Sequence, residues 1–267
     1  MSYFCPTNFF AMPVYTTEIA SETIASDNPI HQRLLKAYVL ATDKVHGHLL
    51  EVGCGEGRGI NWLLLRAEKF SAIDKIATVV EGLKKKFPAG NFVSGNIPPL
   101  PYEDNSFDCV VSFQVIEHIA DDHLFLKEIS RVVKPSGLVL ITTPNRLMSL
   151  SRNPWHEREY TADELTLLAK KYFSVVEMKG IAGNENVMQY YDRNKKSVDK
   201  LMRWDIFDLQ HKLPASVLRL PYEMLNRLNR NKLSDTADDL VAGIRHDDYI
   251  LSEEPARSLD LFLVARK

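Results

Sequence analysis

A doubly wound α/β fold built on a mostly parallel sheet is what this 267-residue chain predicts, and three observations carry the prediction. Between about residues 49 and 143, short apolar runs alternate with helical stretches, the pattern of repeated βαβ units. The first run ends in Gly53-Cys54-Gly55-Glu56-Gly57, a glycine-rich turn from strand to helix. With 45% hydrophobic and 25% charged residues, the chain can bury one large core and carry an added subdomain.

Leu49 to Val52 reads as the first strand. Ile60, Leu63, Leu64 and Ala67 then recur at helical spacing, and Phe70 to Ile73 form a second strand closed by Asp74. Ile76, Val79, Val80 and Leu83 mark the next helix, Phe92-Val93 a third strand and Cys109 to Phe113 a fourth. A helix with Phe125, Ile129, Val132 and Val133 on its buried face follows, Asp121 and Asp122 suiting its N-terminus.

Leu138 to Thr142 makes the fifth strand after the turn Pro135-Ser136-Gly137, and Thr161 with Glu164 forms a capping box ahead of Leu165 and Leu168. Phe173 to Val176 and Leu259 to Ala265 complete a seven-stranded set, with the last strand expected to be antiparallel. No crossover helix directly joins these two, so residues 184–256 are expected to be an inserted helical lid over an acceptor site. Val198, Leu201, Met202, Ile206 and Leu209 outline its first helix; Pro221 suits the start of a second, with Met224, Leu225 and Leu228 on one face. The expected division is a helical segment 1–45, a main domain of 46–183 with 257–267, and the insertion.

A formal net charge of −2 and the lack of a basic stripe give no electrostatic basis for a nucleic-acid partner. Cys5, Cys54 and Cys109 match neither a disulfide framework nor a metal cluster, and no set of His, Cys and Asp has metal-ligand spacing along the chain, so no metal is expected. The start has no signal-peptide pattern and no apolar run reaches membrane-spanning length, which with the unpaired cysteines predicts a cytoplasmic setting. Lys212, Arg219, Arg227, Arg230 and Lys232 outnumber Glu223, so 212–232 suits an anionic acceptor or peripheral contact with a membrane.

The glycine turn places backbone N–H groups where they can approach a ligand closely. Counted from Gly53, the third glycine of the dinucleotide fingerprint G-x-G-x-x-G would fall on Arg58. Glu51 argues further against a pyrophosphate, and for a ligand carrying an ammonium and a sulfonium. Asp74 is placed to accept hydrogen bonds from ribose hydroxyls. A nicotinamide dehydrogenase is therefore the weaker reading, and S-adenosylmethionine (AdoMet) is the ligand that satisfies both acidic positions.

The E-x-G-x-G-x-G turn, the acid after the second strand and FVSGNIPPLPYEDNSFDCVVSFQVIEHI together resemble the class I AdoMet-dependent methyltransferases of the seven-strand Rossmann-like type, over about residues 49–180. The resemblance implies AdoMet as methyl donor and S-adenosylhomocysteine as product. It implies a cofactor site of Glu51, Gly53, Cys54, Gly55 and Gly57 with Asp74 and Lys75. Asn96 would face the adenine amino group, the N–H of Ile97 a ring nitrogen, and Gln114 the methionine end. The family often has Asp where Asn96 stands, so here the acceptor is kept and the charge is lost.

Methyl transfer is an in-line displacement, in which the protein mainly positions the acceptor and removes its proton when the nucleophile is weak. His156, in the loop after the fifth strand, is the first candidate base and His118 the second, each weighed against a structural or cofactor-contacting role. Asn145 in Thr143-Pro144-Asn145 lacks the order and the aromatic of an N-P-P-Y loop, which disfavours adenine or glutamine amides as acceptors. Cys54 and Cys109 sit in the turn and a core strand, which disfavours a thiolate mechanism. The expected reaction is transfer to an O or N atom of a small-molecule, lipid or glycan acceptor, the resemblance of N-P-x-H-x-x-E-[YF] pointing to quinone precursors, lipids or glycans; the alternative is a catalytically silent AdoMet-binding module.

Overall fold

The computed structural model describes residues 24–203, 205, 208–236 and 238–267. Residues 1–23, with Cys5 and part of the expected N-terminal helical segment, lie outside the described residues, as does Ile206 of the expected lid helix. The centre is an eight-stranded sheet, β1 (His48–Val52), β2 (Lys69–Asp74), β3 (Asn91–Ser94), β4 (Phe107–Phe113), β5 (Val133–Pro144), β6 (Val175–Gly183), β7 (Tyr249–Ser252) and β8 (Asp260–Arg266), in spatial order β3-β2-β1-β4-β5-β8-β6-β7.

β1 to β5 pair in parallel, β8 runs antiparallel between β5 and β6, and β7 is antiparallel to β6. Leu49, Leu50, Val110, Val111, Leu140 and Ile141 are fully buried, as central strands covered on both faces must be. The strand order turns back between β1 and β4. That switch point opens a crevice beyond their carboxyl ends, where the Gly53 turn and the Gln114 loop face each other.

The connecting helices are α1 (Asn28–Thr42), α2 (Ile60–Leu63), α3 (Ala77–Lys86), α4 (Asp122–Val132) and α5 (Ala162–Ala169). Asp121 caps α4 by accepting the N–H of Leu124 at 2.8 Å, and the Thr161–Glu164 capping box forms at α5 as its spacing requires. α2 is much shorter than the periodicity predicts. Its backbone tightens into i→i+3 turns, Leu65 N to Trp62 O and Arg66 N to Leu63 O, which turns Leu64 and Leu65 outward.

The stretch 184–256 holds α6 (Glu185–Met202), α7 (Leu209–Lys212), α8 (Ala215–Thr236) and α9 (Asp238–Gly243), and it also returns a strand, β7, to the sheet edge. β7 has only four residues with Tyr249 buried and Ile250 exposed, too short for a period-2 signal; Tyr249 Oη donates to Pro29 O at 2.6 Å. The first insertion helix is displaced from the predicted 198–209. Asn184 caps α6 through Val187 N, Asp208 adopts a left-handed φ of 55°, and the Asp205 carboxylate caps α7 instead.

Pro221 lies inside α8 rather than at its start, because the helix begins just after Pro214, whose carbonyl accepts Val217 N at 3.0 Å. Asp27, fully buried, holds α8 down by pairing with Arg227 at 2.8 Å and Arg230 at 3.0 Å. Two of the cations read as available to an anionic acceptor are thus ion-paired within the fold, sharing one carboxylate. A third, Arg219, stacks over Trp155, 4.1 Å from the ring centroid. The outer face of α8 exposes Val217, Leu220, Met224 and Leu228 at helical spacing. Among the described residues no helix is long and apolar enough to cross a membrane.

Candidate functional site

The glycine turn is held by β2. Gly53 N donates to Ile73 O at 2.8 Å, and the Asp74 carboxylate accepts Gly55 N at 2.8 Å with one oxygen and Ile76 N at 2.9 Å with the other. Gly53, Gly55 and Gly57 all have left-handed φ, at 79°, 47° and 75°. A methyl group on Gly57 would meet Leu83 at 2.5 Å and Ile60 at 2.7 Å, and one on Gly53 would run into Val115. At Gly55 it would meet nothing within 4 Å. Gly57 and Gly53 therefore serve packing, while the Gly55 backbone borders open space.

That space is a cavity of about 740 Å³. Gly53, Cys54, Gly55, Asp74, Lys75, Asn96, Ile97 and Gln114 line one end, and His118 and His156 another part of its wall. Of the residues predicted for the site, Glu51 and Gly57 lie back from the wall. Glu51 is 1% exposed beneath the turn, where Tyr38 Oη donates to Oε1 at 2.7 Å and Oε2 is buried with no partner. Burial pushes its carboxyl up to about 8, the Tyr38 hydrogen bond opposing and Asp74 adding to the shift.

A cationic ligand above the turn fits this arrangement, since a buried, half-partnered carboxyl gains most from nearby positive charge. The open cradle at Gly55 and the two-oxygen carboxylate of Asp74 fit a nucleoside with an amino-acid tail. Cys54, buried beside Glu51, has its thiol pushed well above the usual range, burial being the larger cause, which disfavours a thiolate there. Gln114 holds a left-handed φ of 58° and its N–H bonds Thr142 O at 2.9 Å, which turns the chain out of β4 along the cavity.

Beyond Gln114 the cavity wall becomes titratable. His118 and His156 meet edge to face with ring centroids 4.9 Å apart. His118 Nδ1 lies 2.9 Å from Trp155 O and His156 Nδ1 lies 2.6 Å from Glu159 Oε1, so each imidazole donates from Nδ1. The Asn153 amide is oriented by Trp155 N donating to its Oδ1 at 3.0 Å, which leaves Nδ2 as the donor to His156 Nε2 at 2.8 Å. His156 Nε2 is therefore a lone-pair nitrogen.

Burial, with His156 beside it, lowers His118 to about 4. Burial also raises Glu117 to about 7, against the pull of His156 and a 3.0 Å hydrogen bond from Thr143 Oγ1. Burial would push Glu159 up as well, but the His156 and Ser149 hydrogen bonds outweigh it and hold Glu159 below its usual value. Glu117, Glu159, Tyr38 and Asn153 were not singled out for the site from sequence. An H-x-x-E spacing at 156–159 was the available signal for Glu159; Glu117 had none apart from its neighbour His118.

Asn145 is not among the residues that line the cavity. Its Nδ2 donates to the carbonyls of Pro255, Ala256 and Ser258 at 3.1, 3.1 and 2.8 Å, clamping β5 to the approach of β8.

The wider comparisons agree with this geometry. Residues 50–141 match the family model described as a methyltransferase domain. A probable S-adenosylmethionine-dependent methyltransferase of Mycolicibacterium smegmatis is 30% identical over 257 residues, covering 94% of this chain and 91% of that protein. A second, from Mycobacterium tuberculosis, is 42% identical over 139 residues, 50% of this chain, and the match spans about half of that relative, 51%. A solved structure from Thermotoga maritima, described as a possible histamine N-methyltransferase, shares the fold with a TM-score of 0.58 at 15% identity, over 89% of this chain and 91% of that one. With a turn that cradles open space at Gly55, an acid at the end of β2, and a relative alike over nearly its whole length, the chain belongs to the S-adenosylmethionine-dependent methyltransferases.

Proposed function

We propose that the protein transfers the AdoMet methyl group to an O or N atom of a small-molecule, lipid or glycan acceptor in the outer part of the cavity. The observation that carries this reading is that one continuous wall joins the Gly55–Asp74 cradle to the hydrogen-bonded pair His156–Glu159. When bound, AdoMet supplies an electrophilic methyl on a sulfonium. The residues of the chain do the rest: Asp74 receives the ribose, Asn96 and Ile97 the adenine, and His156, its Nδ1–H held by Glu159, orients the acceptor or takes its proton at Nε2 once the Asn153 amide moves off that nitrogen. His118, neutral at physiological pH, helps position the acceptor.

The outer part of the cavity is bordered by Tyr190, Tyr191, Tyr222, Asn194 and Asn226. Two of its cations are ion-paired, Arg33 with Asp260 at 3.3 Å and Arg230 with Asp27. Rings and amides around ion-paired cations favour a neutral, hydroxyl-bearing acceptor over a free anion. The exposed apolar stripe of α8, with Lys212 and Lys232 exposed on the same stretch, supports delivery of a lipid-borne acceptor from an anionic membrane surface. The buried free thiols Cys54 and Cys109 are in keeping with a cytoplasmic setting.

The deciding experiment incubates the protein with AdoMet and pooled phenols, sugars and lipid extracts, and scores S-adenosylhomocysteine by mass spectrometry. Product above the acceptor-free blank, with an acceptor gaining one methyl mass, is expected. Tight S-adenosylhomocysteine binding without any product across the pools would replace this reading with a silent binding module.

A further inference from the structure

Glu117, His118 and His156 each offer one ligand atom, and these atoms all lie within 4.8 Å of one another. Glu117 is buried in the cavity wall, and one of its oxygens already accepts from Thr143 Oγ1, which fixes the carboxylate's orientation. Both imidazoles are anchored through Nδ1, His118 on the carbonyl of Trp155 and His156 on the carboxylate of Glu159. This is the outer support that metal-bound histidines have, one ring nitrogen donating to a carbonyl or carboxylate.

We infer that Glu117, His118 and His156 form a binding site for one divalent transition-metal ion between the cofactor cradle and the acceptor part of the cavity. Two imidazole nitrogens with one carboxylate suit Mn²⁺, Fe²⁺, Co²⁺ or Zn²⁺ better than the all-oxygen preference of Mg²⁺ or Ca²⁺. Three protein ligands leave positions open toward the cavity for water or acceptor oxygens. The Asn153 amide that now meets His156 Nε2 has to swing away when the ion binds. Ligand atoms up to 4.8 Å apart must also close to the spacing of roughly 3–3.6 Å that ligands about 2.0–2.2 Å from one ion have.

The inference rests on the methyl-transfer reading and deepens it by assigning the acceptor class. An ion here favours an acceptor with a hydroxyl, or adjacent hydroxyls, that can ligate it. Coordination lowers the pKa of the hydroxyl, its proton leaves to solvent, and the oxygen lone pair forms the new O–CH₃ bond as the S–CH₃ pair returns to sulfur. His156 would then hold the ion rather than remove the proton itself.

The test does not depend on turnover. The full chain is freed of metal with a chelator, and Co²⁺ is titrated while its visible d–d absorption and binding heat are followed. S-adenosylhomocysteine affinity is measured in parallel as a check on folding and on the cofactor site. One equivalent of Co²⁺ should bind with new visible bands. His118→Ala and His156→Ala should each weaken it at least about tenfold, and Glu159→Gln about 10- to 100-fold, with S-adenosylhomocysteine affinity kept. Mg²⁺ should compete poorly and Zn²⁺ well. Absence of stoichiometric Co²⁺ binding, or binding indifferent to these substitutions in protein that still takes S-adenosylhomocysteine, would overturn the metal site and leave the methyltransferase reading standing. If an alanine variant fails to bind S-adenosylhomocysteine, His118→Asn and His156→Asn take its place under the same criteria.

Discussion

Asp74 Oδ2 accepts the backbone N–H of Gly55 at 2.8 Å, so the residue expected to receive the ribose also fixes the shape of the glycine turn. Asp74→Ala should accordingly weaken S-adenosylhomocysteine about 10- to 100-fold, the equivalent of about 1.5–3 kcal/mol for a hydrogen bond to a charged group. It should also lower the melting temperature, because Gly55 N and Ile76 N lose their acceptor. Calorimetry showing unchanged affinity would remove Asp74 from the cofactor site.

Gly55 separates ligand space from packing space. Gly55→Val should abolish AdoMet binding while costing about 1–2 kcal/mol of stability for the left-handed backbone at φ 47°, since a Cβ there meets no protein atom within 4 Å. Gly59→Ala is the contrast: its Cβ would enter the Tyr38 ring, so it should destabilise the fold. Melting curves and cofactor titrations on both variants check the distinction, and normal binding by folded Gly55→Val would make the turn purely structural.

His156→Ala should lower turnover by about 10²- to 10⁴-fold and leave AdoMet affinity nearly intact, as expected for a group acting on the acceptor. Glu159→Gln should give a smaller loss, because an amide can still hold the imidazole. A kcat within a few-fold of the parent at saturating acceptor would return His156 to a structural role.

The raised pKa of Glu51 predicts a pH-dependent stability in the ligand-free protein. Its folded carboxyl keeps a proton up to about 8, whereas an unfolded one loses it near 4.5, so between these values the folded state binds more protons. Stability from this group is full below pH 4.5 and falls as pH rises to 8, with a limiting slope of about 1.4 kcal/mol per pH unit. Glu51→Gln keeps an acceptor for Tyr38 and should flatten the slope. Denaturant titrations at pH 5, 6, 7 and 8 measure it, and parallel slopes for both proteins would refute the assignment.

The α8 stripe predicts partitioning onto anionic vesicles that weakens with salt. Leu220→Glu and Met224→Glu, both at exposed sites, should reduce vesicle co-sedimentation without moving the melting temperature. Equal sedimentation of parent and double variant would confine the apolar face to another use.

The succession of parallel strands, the glycine turn and the acid closing β2 were legible in the amino-acid sequence because each is local: period, turn chemistry and the strand-end position are written within a few residues. The capping box at Thr161–Glu164 was legible for the same reason. β7 was not, since four residues with one buried tyrosine carry no period, and its place is set by pairing with β6 and by the Tyr249–Pro29 bond. Nor was the fate of the basic residues of α8. Counting charges suggested an anion-binding face, whereas Arg227 and Arg230 converge on buried Asp27, far away in sequence. The meeting of Glu117, His118 and His156 belongs to the same class: the strand order β4-β5 brings the loop after one against the loop after the other, and only the parallel pairing of those strands puts a carboxyl and two imidazoles within reach of one another.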